Sequence, residues 1–422
     1  KEKETYAHPL GSVMGGVSTP LNTEELAIIM NLPRKQVTGI PVIQKTEFGR
    51  NIRSLKEQSE TEKNSTNEKT YDIGELRYLG IGENNRLKLD KNSLASHTFI
   101  TGTTGSGKTN TVYNILTNLH KDDLKFLVIE PVKGEYKNTI GGLEGIQVFG
   151  TNREYTPLLR INPFKFPPRI HVLEHLDRLI EIFNACWPMY AAMPALMKES
   201  LEEAYRKRAW DLEESKCLIE PVEYPTISDV VKIMPEIVKQ SGYSAEVQAN
   251  YYGALVTRLK SLTNGLYRWI FCEDEIDELT LFDSNCIVDI SRIGSMETKA
   301  LIMGILFMRL YEYRISADKP ANSNLKHVTV LEEAHHLMRR TSVTQSEEYA
   351  NIQGKAVEMI TNSIAEMRSY GEGFILIDQA PGLLDLTAIR NTNTKIALRL
   401  PEQEDKEIVG KSMNLDERQI SE

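Results

Sequence analysis

Short β-rich runs alternate along much of the chain with longer stretches in which apolar residues recur every three or four positions. The runs Ser96–Thr101, Lys125–Glu130, Ile146–Gly150, Cys286–Ser291, His327–Glu332, Phe374–Asp378 and Lys395–Leu400 predict strands. Thr111–Leu119, after the first of them, has helical spacing. Alternation of this kind predicts an α/β fold built on a mainly parallel, doubly covered sheet. Between Ile170 and Trp269 the pattern changes, as Val172, Leu173, Leu176, Leu179, Ile180 and Phe183 follow one helix face. Pro188, Pro194 and the stretch Pro221–Pro225 divide this block into several helices, so a helical insertion between sheet strands is expected. No repeat of solenoid period is present.

Upstream, Thr23–Met30 is a helix candidate, with Asn22 as cap, Glu25 returning the bond and Pro33 closing it. Glu57 to Lys69 contains no aliphatic or aromatic residue and cannot repay the entropy of ordering, which reads as a linker. The expected division is an N-terminal segment 1–56, a linker 57–70, a first core part 71–169, the insertion 170–270 and a second core part 271–422.

Composition narrows the class without choosing the function. The 422 residues are 41% hydrophobic and 26% charged, with 26 Gly and 17 Pro, which excludes collagen-like, wholly disordered and knottin-like chains. A net charge of −9 argues against a histone-like coat, yet leaves room for a local basic channel. Cys186, Cys217, Cys272 and Cys286 form no C-x-x-C pair, so neither a disulfide framework nor a cysteine zinc site is expected, and a reducing cytoplasm fits. The apolar stretch Leu301–Met308 is interrupted by Gly304 and stops at Arg309. It is far short of the roughly 20 residues a membrane span needs.

The first chemical signal is Gly102-Thr103-Thr104-Gly105-Ser106-Gly107-Lys108-Thr109, followed by Asn110, which matches G-x-x-x-x-G-K-[ST] between an apolar run and a helical one. Such a loop turns its backbone N–H groups inward, and with the helix N-terminus binds a triphosphate. Lys108 is expected to reach the β and γ phosphates of ATP, and Thr109 to bind Mg²⁺. The second signal is the strand His327–Glu332 ending in Glu332-Glu333, the form of a Walker B element. In a parallel sheet that end lies beside the phosphate loop. Glu332 is assigned to the Mg²⁺ water shell, and Glu333 to orienting and deprotonating the attacking water. Phe374–Asp378 ends in Gln379, suited to sense the γ-phosphate. Arg368, Arg390 and Arg399 are candidates to reach a neighbouring subunit's nucleotide, with Arg368 preferred.

The ordered set of the phosphate loop, Ile129-Glu130-Pro131-Val132-Lys133-Gly134-Glu135-Tyr136, Leu331–His336, and Gln379 with Asn391–Thr394 beyond it resembles the HerA/FtsK branch of RecA-like ATPases, most closely bacterial HerA-like proteins. The match covers about Leu79 to Ile408. The resemblance implies a RecA-like P-loop core, and a homo-oligomeric, hexameric ring that binds ATP between subunits and translocates duplex DNA. It also implies a partner nuclease or other effector, including those of antiphage systems, and an N-terminal β-barrel of which only a remnant, residues 1–50, would be present. Glu332 and Glu130 stand where Asp is usual in the family. A conjugation or secretion ATPase, and a nucleotide-gated scaffold that assembles an effector without translocating, are the competing readings.

Three further patterns are weaker. His171-Val172-Leu173-Glu174-His175 matches H-x-x-E-H, but reads better as an amphipathic helix with exposed histidines than as a zinc site. Arg206-Lys207-Arg208 lies among acids and reads as a solvated face. Met338–Gln353 is polar and begins with Arg339-Arg340, which are proposed to contact DNA phosphates from a pore-lining loop.

Overall fold

A computed structural model describes residues 70–78, 81–317, 324–341 and 347–421. The expected helix Thr23–Met30, the barrel remnant and the linker up to Lys69 lie outside these residues. The described chain opens with an antiparallel ribbon that the sequence reading missed, β1 (Thr70–Tyr78) and β2 (Ile81–Asp90), so Thr70 belongs to a strand and not to the linker. A 3-10 turn over Lys91–Ser96, capped by the Asp90 side chain, delays β3 (Thr98–Thr101) by two residues relative to expectation. Helix α1 (Lys108–Lys121), β4 (Lys125–Glu130) and β5 (Ile146–Gly150) follow.

The 170–270 block contains α2 (Val172–Cys186), α3 (Met193–Lys207), a two-residue ribbon of β6 (Trp210–Asp211) and β7 (Lys216–Cys217), α4 (Ile227–Gln240) and α5 (Ala245–Leu262). Pro194 sits in the first turn of α3, where its missing N–H costs nothing. The chain then returns to the sheet with β8 (Asn285–Asp289), α6 (Met296–Ser316), β9 (His327–Glu332), α7 (Glu347–Met367), β10 (Glu372–Asp378), β11 (Thr394–Ala397) and α8 (Gln403–Ser412). Strand β8 stops at Asp289 because its carboxylate accepts the Ser291 N–H at 2.9 Å and turns the chain. Strand β11 ends early because the next residues cross the phosphate loop, where the Arg399 carbonyl accepts the Thr103 N–H at 2.9 Å.

The seven-stranded sheet has the order β11-β3-β10-β9-β4-β8-β5, and each neighbouring pair is parallel. Alternation within the strands feeds two apolar layers. Leu127, Ile129, Leu331 and Leu376 join the cluster that includes α2 and α6, whereas Phe126, Val128, Val330 and Ile375 pack with Val112, Ile115 and Leu119 of α1 and with Tyr71 of β1. Burial of both faces is what a parallel sheet requires. The insertion helices share the first cluster with the sheet, and α2 packs on α6 and α7.

The histidine pair corrects one expectation. His175 is fully buried, with Nδ1 at 2.9 Å from Glu312 Oε2 and Nε2 at 3.1 Å from the Pro163 carbonyl. His171 caps α2 by accepting the Leu173 N–H at 3.2 Å. Both His175 ring nitrogens are spent on protein groups, so the H-x-x-E-H pattern forms no zinc pair here. Arg206 and Lys207 are exposed, as expected of a solvated face, whereas Arg208, just past α3, is half-buried and lies 2.7 Å from Glu223 and 2.8 Å from Asp229. The polar stretch from Met338 is not a loop throughout. Glu347 onward is helix α7, and residues 342–346 lie outside the described ones. No helix among the described residues is long and apolar enough to cross a membrane.

Candidate functional site

The phosphate loop joins β3 to α1 at the carboxyl edge of the sheet. Gly102, Gly105 and Gly107 take φ of +152°, +78° and +105°. A Cβ on Gly102 would lie 2.7 Å from both Leu398 Cβ and Ser106 Oγ, so the close approach of the post-β11 segment demands glycine there. Gly107 precedes α1 with no side-chain cap, which leaves the positive end of the helix facing the loop. Lys108 Nζ donates to the carbonyls of Gly102 at 2.5 Å and Thr103 at 3.0 Å, and Ser106 Oγ donates to Thr103 O at 2.7 Å. Burial lowers the Lys108 pKa, against the pull of Glu333. Thr109 is half-buried in the first turn of α1, and Asn110 is exposed.

Strands β10 and β9 bring the acids to this loop. Asp378 pairs in register with Thr101, and Glu332 with Ile377. Glu333, just past β9, takes a left-handed conformation with φ 47°. Gln379 then bridges the two halves of the site. Its Oε1 accepts Thr104 Oγ1 at 2.6 Å, and its Nε2 donates to Glu333 Oε1. The backbone N–H and Nδ1 of His335 each lie 2.9 Å from Asp378 Oδ2.

The carboxyl groups are pushed toward holding protons. Burial raises the pKa of both Glu332 and Glu333; Glu333 adds to the rise at Glu332, and Asp378 to the rise at Glu333. Burial, helped by Glu332, lifts Glu130 at the end of β4 to about 8, even though Glu130 accepts the N–H groups of Glu135 at 2.6 Å and Tyr136 at 3.2 Å. An acid raised toward neutrality is the better proton acceptor, so Glu333 beside the loop has the character of a general base. Tyr136 OH donates to Glu332 Oε1 at 2.6 Å, while Glu332 Oε2 accepts no bond from the described residues. Thr109 hydroxyl and Glu332 carboxylate are the hard oxygen donors that suit Mg²⁺. Glu333, His335 and Asp378 also offer ligand atoms within 4.8 Å of one another.

The structure thus brings Gly102–Thr109, Glu332, Glu333 and Gln379 to one edge. Arg368 is not among them. It is exposed in the turn before β10, at the amino edge of the sheet and away from this chain's own loop. Arg390 and Arg399 are exposed, and Arg399 touches the loop through its carbonyl. Arg339 and Arg340 are exposed shortly after Glu333; the Arg340 N–H donates to Leu383 O at 2.8 Å, and its guanidinium lies 3.8 Å from Glu404. Sequence reasoning gave no role to Tyr136, His335 or Asp378. Each stood inside a recognised strand-end string, but the partners that matter are far away in the chain.

Residues 71–310 match the family described as Helicase HerA, central domain. The chain is 24% identical over 341 residues to the DNA double-strand break repair helicase HerA of Saccharolobus solfataricus, covering 80% of this chain and 61% of that protein. It is 23% identical over 354 residues to the protein of the same name from Sulfurisphaera tokodaii, covering 81% and 62%. The chain therefore spans about three fifths of the length of these relatives. Among solved structures, VirB4 of Thermoanaerobacter pseudethanolicus shares the fold with a TM-score of 0.61 at 19% identity, over 83% of this chain and 89% of that one.

Proposed function

The chain belongs to the HerA helicase family, and from that premise we propose that it is an ATP-hydrolysing, ring-forming DNA translocase. The single observation that carries this reading is the Thr104–Gln379–Glu333 chain of hydrogen bonds, which ties the phosphate loop to the acid placed to activate water. Backbone N–H groups of the phosphate loop other than that of Thr103, which the Arg399 carbonyl holds, and the α1 N-terminus bind the phosphates, and Lys108 exchanges its two carbonyl bonds for phosphate oxygens. Glu333 takes a proton from the attacking water as the water oxygen bonds to the γ-phosphorus. The bond to the β–γ bridging oxygen then breaks, and ADP and phosphate leave. Gln379 feels the γ-phosphate through Thr104 and positions Glu333 accordingly. Thr109 and Glu332 would hold Mg²⁺, which would supply charge neutralisation on the triphosphate.

The position of Arg368 on the far edge fits a residue that completes a neighbour's site in a hexameric ring. Exposed Arg339 and Arg340, immediately beyond the base, suit contacts with duplex DNA phosphates that change with nucleotide state. A nuclease or other effector, including one of an antiphage system, is the proposed partner, in a cytoplasmic setting.

ATP turnover by the full-length protein, with and without linear duplex DNA, beside a Lys108→Ala blank, tests the reading. Strong stimulation absent from the blank is expected. Turnover indifferent to DNA, with ATP-dependent assembly onto a partner, would establish the nucleotide-gated scaffold in its place.

A further inference from the structure

We infer that Lys133 is a second phosphate-binding cation of the nucleotide site, reaching the γ-phosphate of ATP from the side opposite Lys108. The inference rests on the ATP-site reading above. Lys133 lies on the loop Pro131–Glu135, at the carboxyl end of β4, and β4 is the sheet neighbour of β9. The loop is pinned at several points. Glu130 accepts the Glu135 and Tyr136 N–H groups, Tyr136 OH binds Glu332, and Lys137 Nζ meets Asp289 Oδ2 at 2.5 Å. Gly134, at φ +68°, is pressed so closely on the β8 end that a Cβ would lie 2.8 Å from Ser291 Oγ.

Within this pinned loop Lys133 takes φ +72°, a left-handed conformation that a lysine rarely adopts. The anchors on either side hold the lysine in it, and backbone strain so maintained clusters where a side chain must be presented. Three lysines of this edge differ in their partners. Lys137 is paired with Asp289, and Lys108 is bonded to loop carbonyls. Lys133 is exposed and has no carboxylate at ion-pair distance among the described residues, and three residues on along its loop the Tyr136 hydroxyl reaches Glu332 Oε1 at 2.6 Å.

The loops that bear Lys108, after β3, and Lys133, after β4, therefore flank the space beyond the end of β9, where Glu332 and Glu333 lie. Cations brought together without a bound anion repel, and a polyanion between them reverses the sign. The α1 N-terminus and Lys108 approach that space from the loop side. Lys133 approaches from the side of Glu332, where the terminal phosphoryl group and its attacking water belong. A cation placed there stabilises the triphosphate, and the charge on the transferring phosphoryl group, more than it stabilises ADP.

The test compares wild type, Lys133→Met and Lys133→Arg in the full-length protein with Mg²⁺, measuring affinity for fluorescent ADP and for a fluorescent non-hydrolysable ATP analogue, and ATP turnover. Lys133→Met is expected to lose about ten-fold or more in turnover and in affinity for the ATP analogue. Its ADP affinity should stay within about two-fold, which also reports an intact fold, and Lys133→Arg should recover much of the loss. Equal losses for ADP and the ATP analogue, or no loss for either, would overturn the inference while the wild-type site stands. Wild-type protein that binds neither nucleotide would overturn the ATP-site reading, and this inference with it.

Discussion

The two edges of the central sheet carry similar residues in opposite states. At the amino edge, Glu372 begins β10 fully buried, and its oxygens are spent: Oε1 meets His327 Nδ1 and Thr329 Oγ1, each at 2.7 Å, and Oε2 meets Arg314 Nε at 2.8 Å. Burial alone would raise this carboxyl, but His327 and Arg314 hold it down to about 2. At the carboxyl edge, the acids that end β4 and β9 are pushed the other way by burial and by one another. At the amino edge every Glu372 oxygen has a donor. The carboxyl edge gathers Glu130, Glu332, Glu333, Asp378, Lys108 and Lys133 with partial compensation, an arrangement that a nucleotide and its metal would complete. Satisfied buried charge secures a fold, while charge held against its preference marks a site.

The sharpest break in that comparison is Glu333→Gln. Glutamine can still accept the Gln379 N–H but cannot take a proton from water, so turnover should fall by about 100-fold or more while ATP still binds. Turnover near wild type in a steady-state assay would move the base to another residue. The amino edge answers in stability instead. Arg314→Met leaves Glu372 buried without its cation and should cost about 3–5 kcal/mol in urea unfolding, with little change in turnover per folded molecule. The same carboxyl sets an acid limit. Its folded pKa lies near 2, below the usual 4.5, so its contribution is complete above about 4.5 and is lost as pH falls toward 2. An acid unfolding profile that Arg314→Met leaves unmoved would show that the network does not carry the fold.

Sequence and structure agree where the information is local. Strands β4, β5 and β9 begin and end where the apolar runs do; β4 and β9 are buried within the sheet, and β5, at its edge, is still bounded by its own run. The phosphate loop is legible for the same reason, since its conformation depends on eight consecutive residues. The β1–β2 ribbon was missed because its charged residues sit largely on an exposed face, while Tyr71 enters the core cluster and Ile73 packs against it. His175 looked exposed because its partner Glu312 is 137 residues away on α6. The Lys133 loop was quoted only as part of a resemblance, since nothing in spacing shows that a lysine beyond β4 stands close to one beyond β3.

Tyr136 offers the finest distinction between the edges, because its hydroxyl is the one side-chain donor that Glu332 receives among the described residues, across 196 positions of sequence. Glutamate is longer by a methylene than the aspartate usual in the family, and its carboxylate has an additional torsion to fix; the tyrosine fixes it. Tyr136→Phe keeps the buried ring and its edge contact with Tyr113 at 5.0 Å, so the core should be retained. Glu332, freed from the hydroxyl, should hold its proton more tightly and wander, and about ten-fold more Mg²⁺ should be needed for half-maximal turnover. Metal-free ADP binding should not change. A Mg²⁺ titration indistinguishable from wild type would show that the backbone of β9 alone positions Glu332, and that the tyrosine serves the loop presenting Lys133 and not the metal.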